Sequence, residues 1–183
     1  MLPVPGSPSP TLPVPWRKSG RGWLAASLLA VLATAGPGAQ ADPVTPSPGN
    51  YWIQSCADPN LVLQDKEDSA KQHSVKLARL DKSDETEQWI LSPGEKEGSV
   101  TLTNAKSNLV LAAQGNSVTL ITQEKVTSHT TWSFANLRDN VMALRPNDNW
   151  DLNLNVDGSA KVALRGWRNG QPDETWYLVE AEP

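Results

Sequence analysis

Side chains capable of nucleophilic or metal chemistry are few in this chain of 183 residues. Cys56 is the only cysteine, and His73 and His129 are the only histidines. A nucleophile pair would need Cys56 beside one of these histidines, yet both lie in polar stretches typical of surface loops. One cysteine and two histidines also lack the close spacing of zinc ligands. The sequence therefore predicts no metal, no cofactor and no catalytic residue.

Carboxylates occur as close pairs at Glu85 with Glu87 and at Asp173 with Glu174. Glycosidases use two carboxylates that flank the glycosidic bond to be cleaved, but solvated surface pairs are the simpler interpretation here. The acidic run from Asp65 to Asp68 lacks the glycine and terminal glutamate of a calcium loop. We expect that run to be a solvated loop and the protein not to be an enzyme.

Residues 1–41 predict a cleaved secretory signal. Arg17, Lys18 and Arg21 form a basic region, an uncharged apolar run follows from Trp23 to Ala35, and residues 39–41 offer a small-x-small cleavage site. The run is shorter than the roughly 20 residues that span a bilayer. We expect export to the periplasm or the outside of the cell, with no membrane span after cleavage. The proline-rich start leaves open an extended leader or a start site placed too early.

The remaining residues, 42–183, fit one domain with its own core. Residues 42–49 are a proline-rich lead-in that we expect to be flexible. Loss of the leader removes three basic and no acidic residues, so the net charge falls from −4 to −7. An acidic domain repels phosphate, which argues against nucleic acid and anionic membranes as partners. With Cys56 alone, no intramolecular disulfide can form.

A Val-x-Leu unit followed by a tryptophan 14 positions after the valine occurs three times. The units begin at Val75, Val118 and Val162, and their tryptophans are Trp89, Trp132 and Trp176. Spacing this even indicates an internal repeat. We divide the domain (residues 50–183) into repeat one (about 50–97), repeat two (98–139) and repeat three (140–183).

Each repeat contains four short segments with apolar residues two apart, the period of a strand, and almost no helix is expected. The predicted strands are 51–53, 61–63, 75–77 and 89–91, then 100–102, 109–111, 118–120 and 132–134, then 142–144, 152–154, 162–164 and 176–178. The stretch Gln64 to Ser74 is longer than its counterparts and is expected to be a surface loop. Three such copies close as a barrel capped by hairpins, with the three tryptophans as equivalent core positions.

This pattern resembles the ricin-type β-trefoil, a family of lectins and carbohydrate-binding modules. The resemblance is carried by Gly49 to Ile53, by Asn60 to Leu63 and Asn108 to Leu111, and by the Val-x-Leu to Trp spacing. It implies an all-β fold, a β-trefoil of three four-stranded repeats with approximate threefold symmetry.

In sugar-binding members of that family, an Asp after the second strand, an aromatic residue after the third strand and an Asn-Gln pair before the final Trp form a shallow pocket. No repeat of this chain has the full set, and repeat two is expected to be purely structural. The positions that correspond to the Asp, the aromatic residue and the pair are Gln64, Ala78 and Thr86-Glu87 in repeat one, Ala112, Ile121 and His129-Thr130 in repeat two, and Asn155, Arg165 and Asp173-Glu174 in repeat three.

Repeat three keeps most of the pocket and adds two tryptophans. Trp167 lies two residues after the usual aromatic position, and Trp150 lies in the turn before the second strand. Packing under a loop is the open alternative for both tryptophans. The predicted ligand-binding residues are Asn155, Trp167, Asp173, Glu174, Trp150, Gln64 and Glu87.

The sequence therefore predicts a secreted, non-catalytic, lectin-like module with a divergent sugar pocket, whose partner is a glycan or polysaccharide. Two alternatives remain open at this point. One is a protein-binding trefoil such as a protease inhibitor that acts through the loop from Gln64 to Ser74. The other is a structural domain without a small ligand.

Overall fold

The computed structural model describes residues 43–125, 127–138 and 140–181 as an all-β chain. The predicted signal segment lies outside these residues. The strands are β1 (Pro43–Val44), β2 (Gly49–Ser55), β3 (Leu61–Glu67), β4 (His73–Arg79), β5 (Gln88–Pro93), β6 (Val100–Asn104), β7 (Val110–Gln114), β8 (Ser117–Ile121), β9 (Thr131–Arg138), β10 (Val141–Pro146), β11 (Leu152–Val156), β12 (Val162–Gly166) and β13 (Trp176–Glu180). Helical structure in this part of the chain consists of the three-residue 3₁₀ turns Glu85–Glu87, Gln123–Lys125, Ser128–Thr130 and Pro172–Glu174. The prediction of an all-β chain with almost no helix is confirmed.

Six strands close into a ring by antiparallel pairing. The order is β2, β5, β6, β9, β10 and β13, and β13 pairs with β2 to complete the barrel. Strand β5 shows why these segments are strands, because Trp89 and Leu91 are buried whereas the alternating Gln88, Ile90 and Ser92 are partly exposed. Closure leaves no edge strand within the ring.

The other strands form three hairpins, β3–β4, β7–β8 and β11–β12. The hairpins touch one another. Lys76 on β4 forms a bridge with Lys161 just before β12, and the Leu164 N–H donates to the Asn116 carbonyl at 2.9 Å. The strands of the hairpins run further than predicted, so Gln64 and Asn155 lie within strands rather than in loops.

The three repeated tryptophans are fully buried and occupy matching environments. Trp89, Trp132 and Trp176 are at most 1% exposed. Their indole N–H groups donate to the carbonyls of Leu63, Leu111 and Leu154 at 3.0, 3.0 and 3.1 Å. Each acceptor lies on the first strand of a hairpin, so each tryptophan joins a barrel strand to a hairpin of its own repeat.

The lead-in is not a free segment along its whole length, so that expectation is wrong for residues 43 and 44. Pro43 and Val44 form β1, which pairs with Ala135 and Phe134 of β9, and Val44 packs against the core. The Pro-rich composition argued against strand pairing. Proline is nevertheless compatible with an outer strand, because the N–H that it lacks would face solvent there.

The expectation of a long loop at Gln64 to Ser74 is also wrong. Strands β3 and β4 pair as far as Glu67 with His73 and leave only residues 68–72 outside the ladder. That turn is closed by Asp68, whose carboxylate accepts from the N–H groups of Ala70 and Gln72 at 2.8 and 2.9 Å.

The acidic run is not a solvated loop, because Asp65 is 3% exposed and lies in β3. Its carboxylate lies 2.8 Å from His73 Nδ1, across the hairpin. Alternation explains the difference, since Asp65 falls on the same face of β3 as the buried Leu63.

No helix in the described part of the chain is long and apolar enough to cross a membrane.

Candidate functional site

Strand β11 presents two amides on the face opposite the core. Leu154 and Val156 are buried among apolar residues, whereas Asn153 and Asn155 alternate with them. Both asparagines are nevertheless fully buried, because side chains from β10 and from residues 167–174 contact them. These contacts define the repeat-three site: Arg145, Asn153, Asn155, Trp167, Arg168, Asp173 and Glu174.

Arg168 joins two of the predicted ligand-binding residues. Its Nη2 donates to Asn155 Oδ1 at 2.9 Å and also to the Asp173 carboxylate. The hydrogen bond and charge of Asp173 raise the pKa of Arg168, so the guanidinium stays protonated. Arg168 and Asp173 both remain partly exposed, so this ion pair lies at the surface of the site.

Glu174 is fully buried and holds the loop that carries Trp167 and Arg168. Its Oε1 accepts from the N–H groups of Arg168, Gly170 and Gln171 at 3.0, 2.8 and 3.0 Å. Gly170 has a φ of +74°, a conformation that glycine adopts without strain. In this structure the carboxylate is therefore occupied by backbone donors, and its contribution to the site is to fix the loop.

Glu87 is the equivalent of Glu174 in repeat one and also binds a backbone N–H of the preceding loop. It lies two residues before Trp89, as Glu174 lies two residues before Trp176. It is 2% exposed and accepts from the Asp81 N–H at 2.7 Å. Burial raises the pKa of Glu87, and the nearby charges of Asp84 and Asp81 add to that effect, while the Asp81 N–H opposes it.

Trp167 covers a buried cation, Arg145, which is not among the predicted site residues. The guanidinium of Arg145 lies 5.1 Å from the centre of the Trp167 ring, within the range of a cation–π contact. Arg145 is fully buried, and its Nε donates to Asn153 Oδ1 at 2.8 Å. Burial lowers the pKa of Arg145, and the charge of Glu174 opposes this effect.

Several amino groups at this site have no oxygen acceptor among the described residues. They are Nη1 and Nη2 of Arg145 and the Nδ2 atoms of Asn153 and Asn155. The amide orientations are fixed, because each Oδ1 accepts from an arginine. The ring of Trp167 supplies part of the compensation for Arg145, which explains why this tryptophan lies over it.

Trp150 stands apart from this group. It is 38% exposed and lies in the turn between β10 and β11, where its indole N–H donates to the Asn147 carbonyl at 3.2 Å. None of the hydrogen bonds that join the repeat-three site reaches Trp150 in the described residues.

Gln64 forms a smaller version of the same arrangement in repeat one. Its Nε2 donates to Asp84 Oδ2 at 3.2 Å and to Thr86 Oγ1 at 3.1 Å. A side chain on the first strand of the hairpin thus reaches the 3₁₀ turn before the repeated tryptophan, as Asn155 does through Arg168. Here the partners of the amide are neutral or acidic.

Repeat two, expected to be purely structural, has an open surface depression of about 380 Å³ at the corresponding place. Ala112, Ile121 and His129 line it, and these are the three positions that correspond to the family's Asp, aromatic residue and Asn.

The described residues contain no group of histidine, cysteine or acidic side chains that could hold a metal ion. Cys56 is a free, partly exposed thiol whose pKa is raised by burial, against smaller opposing effects of Thr175, Tyr177 and Arg138. A raised pKa keeps sulfur protonated and weakly nucleophilic.

No family model and no curated protein matches this sequence. Solved structures do match its fold. The designed threefold symmetric protein ThreeFoil is 17% identical over 72% of this chain and 99% of its own, with a TM-score of 0.61. The Rhizoctonia solani agglutinin is 19% identical over 76% and 99%, with a TM-score of 0.61.

The Polyporus squamosus lectin, solved with the human-type influenza-binding epitope, is 15% identical, with a TM-score of 0.58. The match covers 74% of this chain and half of the lectin. These likenesses, together with the closed six-stranded ring and its three hairpins, establish the β-trefoil fold. At such low identity they define the fold alone.

Proposed function

We propose that this protein is a secreted, non-catalytic carbohydrate-binding β-trefoil whose working site is the repeat-three site. The observation that carries the proposal is the hydrogen-bonded group of Asn155, Arg168 and Asp173 beside the partly exposed Trp167. Lectins among the proteins of similar fold add support.

The chemistry of the group suits sugar hydroxyls. Arg168 only donates hydrogen bonds and ionised Asp173 only accepts them, whereas a hydroxyl does both. A hydroxyl can therefore bridge the exposed faces of this ion pair. Trp167 offers an aromatic surface of the kind that packs on the apolar face of a sugar ring. Glu174 takes part as a positioning residue, since it holds the loop from below.

We further infer that the trefoil consists of three four-stranded repeats around an approximate threefold axis. The matching hydrogen bonds of Trp89, Trp132 and Trp176 support this inference. Binding is nevertheless concentrated in repeat three, because its polar group lies beside the partly exposed Trp167, whereas Trp52 of repeat one is buried and repeat two has Ala112 in place of a polar acceptor. Trp150 contributes separately, outside the repeat-three site.

The protease-inhibitor alternative depended on a projecting loop from Gln64 to Ser74. Most of that stretch is paired strand, and Asp68 closes the remaining turn. No observation favours this alternative, and the carbohydrate-binding proposal is retained alone.

The proposal is tested with the full-length chain on a glycan array, followed by titration of the strongest glycan. We expect binding, and we expect Trp167→Ala to weaken it by about 1–3 kcal/mol, the scale of losing an aromatic anchor. Trp167→Phe keeps an aromatic ring over Arg145 and should retain most of the affinity. Circular dichroism of each variant checks the fold. A protein that binds no glycan, or a Trp167→Ala variant that folds and binds as well as wild type, would contradict the proposal.

A further inference from the structure

A cleft of about 260 Å³ lies where repeat two meets repeat three. We call it the His129 cleft. Its lining includes Ala113 and His129 from repeat two and Asp148, Asn149, Leu152 and Leu164 from repeat three. The volume is just below the roughly 300–1,000 Å³ of typical ligand pockets, so the cleft has room for one ring rather than for an extended chain.

The polar side of the cleft is held in place by bonds within and between the repeats. His129 Nδ1 is paired with the Asp148 carboxylate, which fixes the two side chains against each other. Asn149 Oδ1 accepts from the Asp151 N–H at 3.2 Å, and the Asn149 N–H donates to the Pro146 carbonyl at the same distance. These planar groups are therefore oriented before a ligand arrives, which lowers the cost of binding.

The other side of the cleft is apolar. Leu164 belongs to the core, and Ala113 and Leu152 pack against its edge. Trp150 directly follows Asn149 and is the most exposed large hydrophobic residue of the described chain. Its indole N–H donates to the Asn147 carbonyl, which orients the ring in the turn that carries Asp148 and Asn149.

We propose that the His129 cleft binds a single sugar residue and forms a second subsite, separate from the repeat-three site. This inference rests on the proposed carbohydrate-binding function. Asp148 accepts from sugar hydroxyls, His129 and Asn149 fix their directions, and the apolar side packs against the C–H groups of the ring. None of Asn155, Arg168 and Asp173 lines the cleft.

The test is a nuclear magnetic resonance titration of the full-length chain with galactose, glucose and N-acetylglucosamine. At least one sugar should shift the amide signals of Gly115, His129 and Asn149. Asp148→Asn should weaken that binding by about ten-fold, because an amide replaces the charged acceptor, whereas Asp151→Asn in the same turn should bind as wild type. Ala113→Leu, which fills the cleft and leaves its polar groups intact, should abolish the shifts.

The outcomes separate this inference from the proposed function. Shifts at the Trp167 indole without shifts at the His129 cleft would overturn the second subsite and leave the repeat-three site intact. Binding at the cleft that survives both Asp148→Asn and Ala113→Leu would overturn the assigned residues. An absence of shifts at both places, together with a negative glycan array, would overturn the inference and the proposed function together.

Discussion

Glu87 is a buried carboxylate at a position where the family resembled by this sequence carries a glutamine. Burial raises its pKa, so the folded protein holds this proton more tightly than the unfolded chain does. Between the unfolded and the folded pKa, the free energy of unfolding therefore falls as the pH rises. The loss persists at every pH above the folded pKa, where Glu87 is charged and buried.

Glu87→Gln should remove this penalty while keeping an oxygen that accepts from the Asp81 N–H. We expect the variant to equal wild type in acid and to exceed it in stability above the folded pKa. Chemical denaturation from about pH 4 to pH 8 measures the difference, starting near the usual glutamate pKa. Glu85→Gln is the control, since Glu85 is an exposed neighbour paired with Lys106, and it should change little. A Glu87→Gln variant that becomes less stable than wild type as the pH rises would contradict this account.

Candidate site residues could be predicted from the sequence where they occupy equivalent positions of the repeats. The contacts that these side chains make in the structure could not be predicted in this way. Asn155 was found by its place after the second strand of repeat three and Asp173 by its place before Trp176, and they do share one partner. That partner, Arg168, was missed although it directly follows Trp167. The side chain of Arg168 turns back across the loop, and neither composition nor spacing specifies such a turn.

Arg145 shows the same limit more strongly. It follows the apolar stretch of β10, where a charged residue suggests the end of a buried segment. The structure buries it completely under Trp167 and against Asn153. A signal existed in the chain, namely two asparagines alternating with leucines on β11, because amides on a covered face need polar partners. The identity of the partner depends on contact between β10 and β11.

At the scale of elements, β1 is the feature that composition concealed. Val44 packs against the core and β1 pairs with β9, although six of the eight residues 42–49 are of types common in turns and coil. Pairing of two residues is too short to be read from periodicity. The strands of the hairpins are longer than predicted, because they continue through polar residues that the apolar pattern does not assign to a strand.

Val44→Ala should destabilise the protein by about 1 kcal/mol, since it removes roughly two methylene equivalents from a partly buried site. The free energy of unfolding in urea measures the change. Pro43→Ala lies on the exposed side of the same strand and is the matched control, for which we expect little effect. Equal stability of Val44→Ala and wild type would show that β1 contributes no packing.

For the whole molecule, the three tryptophans decide whether the repeats are physically equivalent. Phenylalanine at position 89, 132 or 176 keeps a buried ring but removes the N–H that the leucine carbonyl accepts. Each substitution should cost about 1–3 kcal/mol, and the three costs should agree within about 1 kcal/mol. Thermal and urea unfolding of Trp89→Phe, Trp132→Phe and Trp176→Phe measure this. A neutral variant among the three would contradict equivalence.

The fold was accessible from the sequence because its strongest signal, a tryptophan 14 positions after each Val-x-Leu valine, reflects a bond made three times in the structure. The repeat spacing does not predict which of the three repeats binds a ligand. Repeat two has Ala112 at the position where repeat three has Asn155, and the partner of Asn155, Arg168, lies outside the family positions that the repeat defines.

The central claim is that a glycan binds at the repeat-three site, and the indole signal of Trp167 reports on it most directly. The full-length chain, labelled with nitrogen-15, is titrated with the strongest glycan from the array while all tryptophan indole signals are observed. The account predicts a saturable shift of the Trp167 indole, with Trp89, Trp132 and Trp176 unchanged because they are buried in the core. A bound glycan that leaves the Trp167 signal unmoved at saturation would contradict the claim.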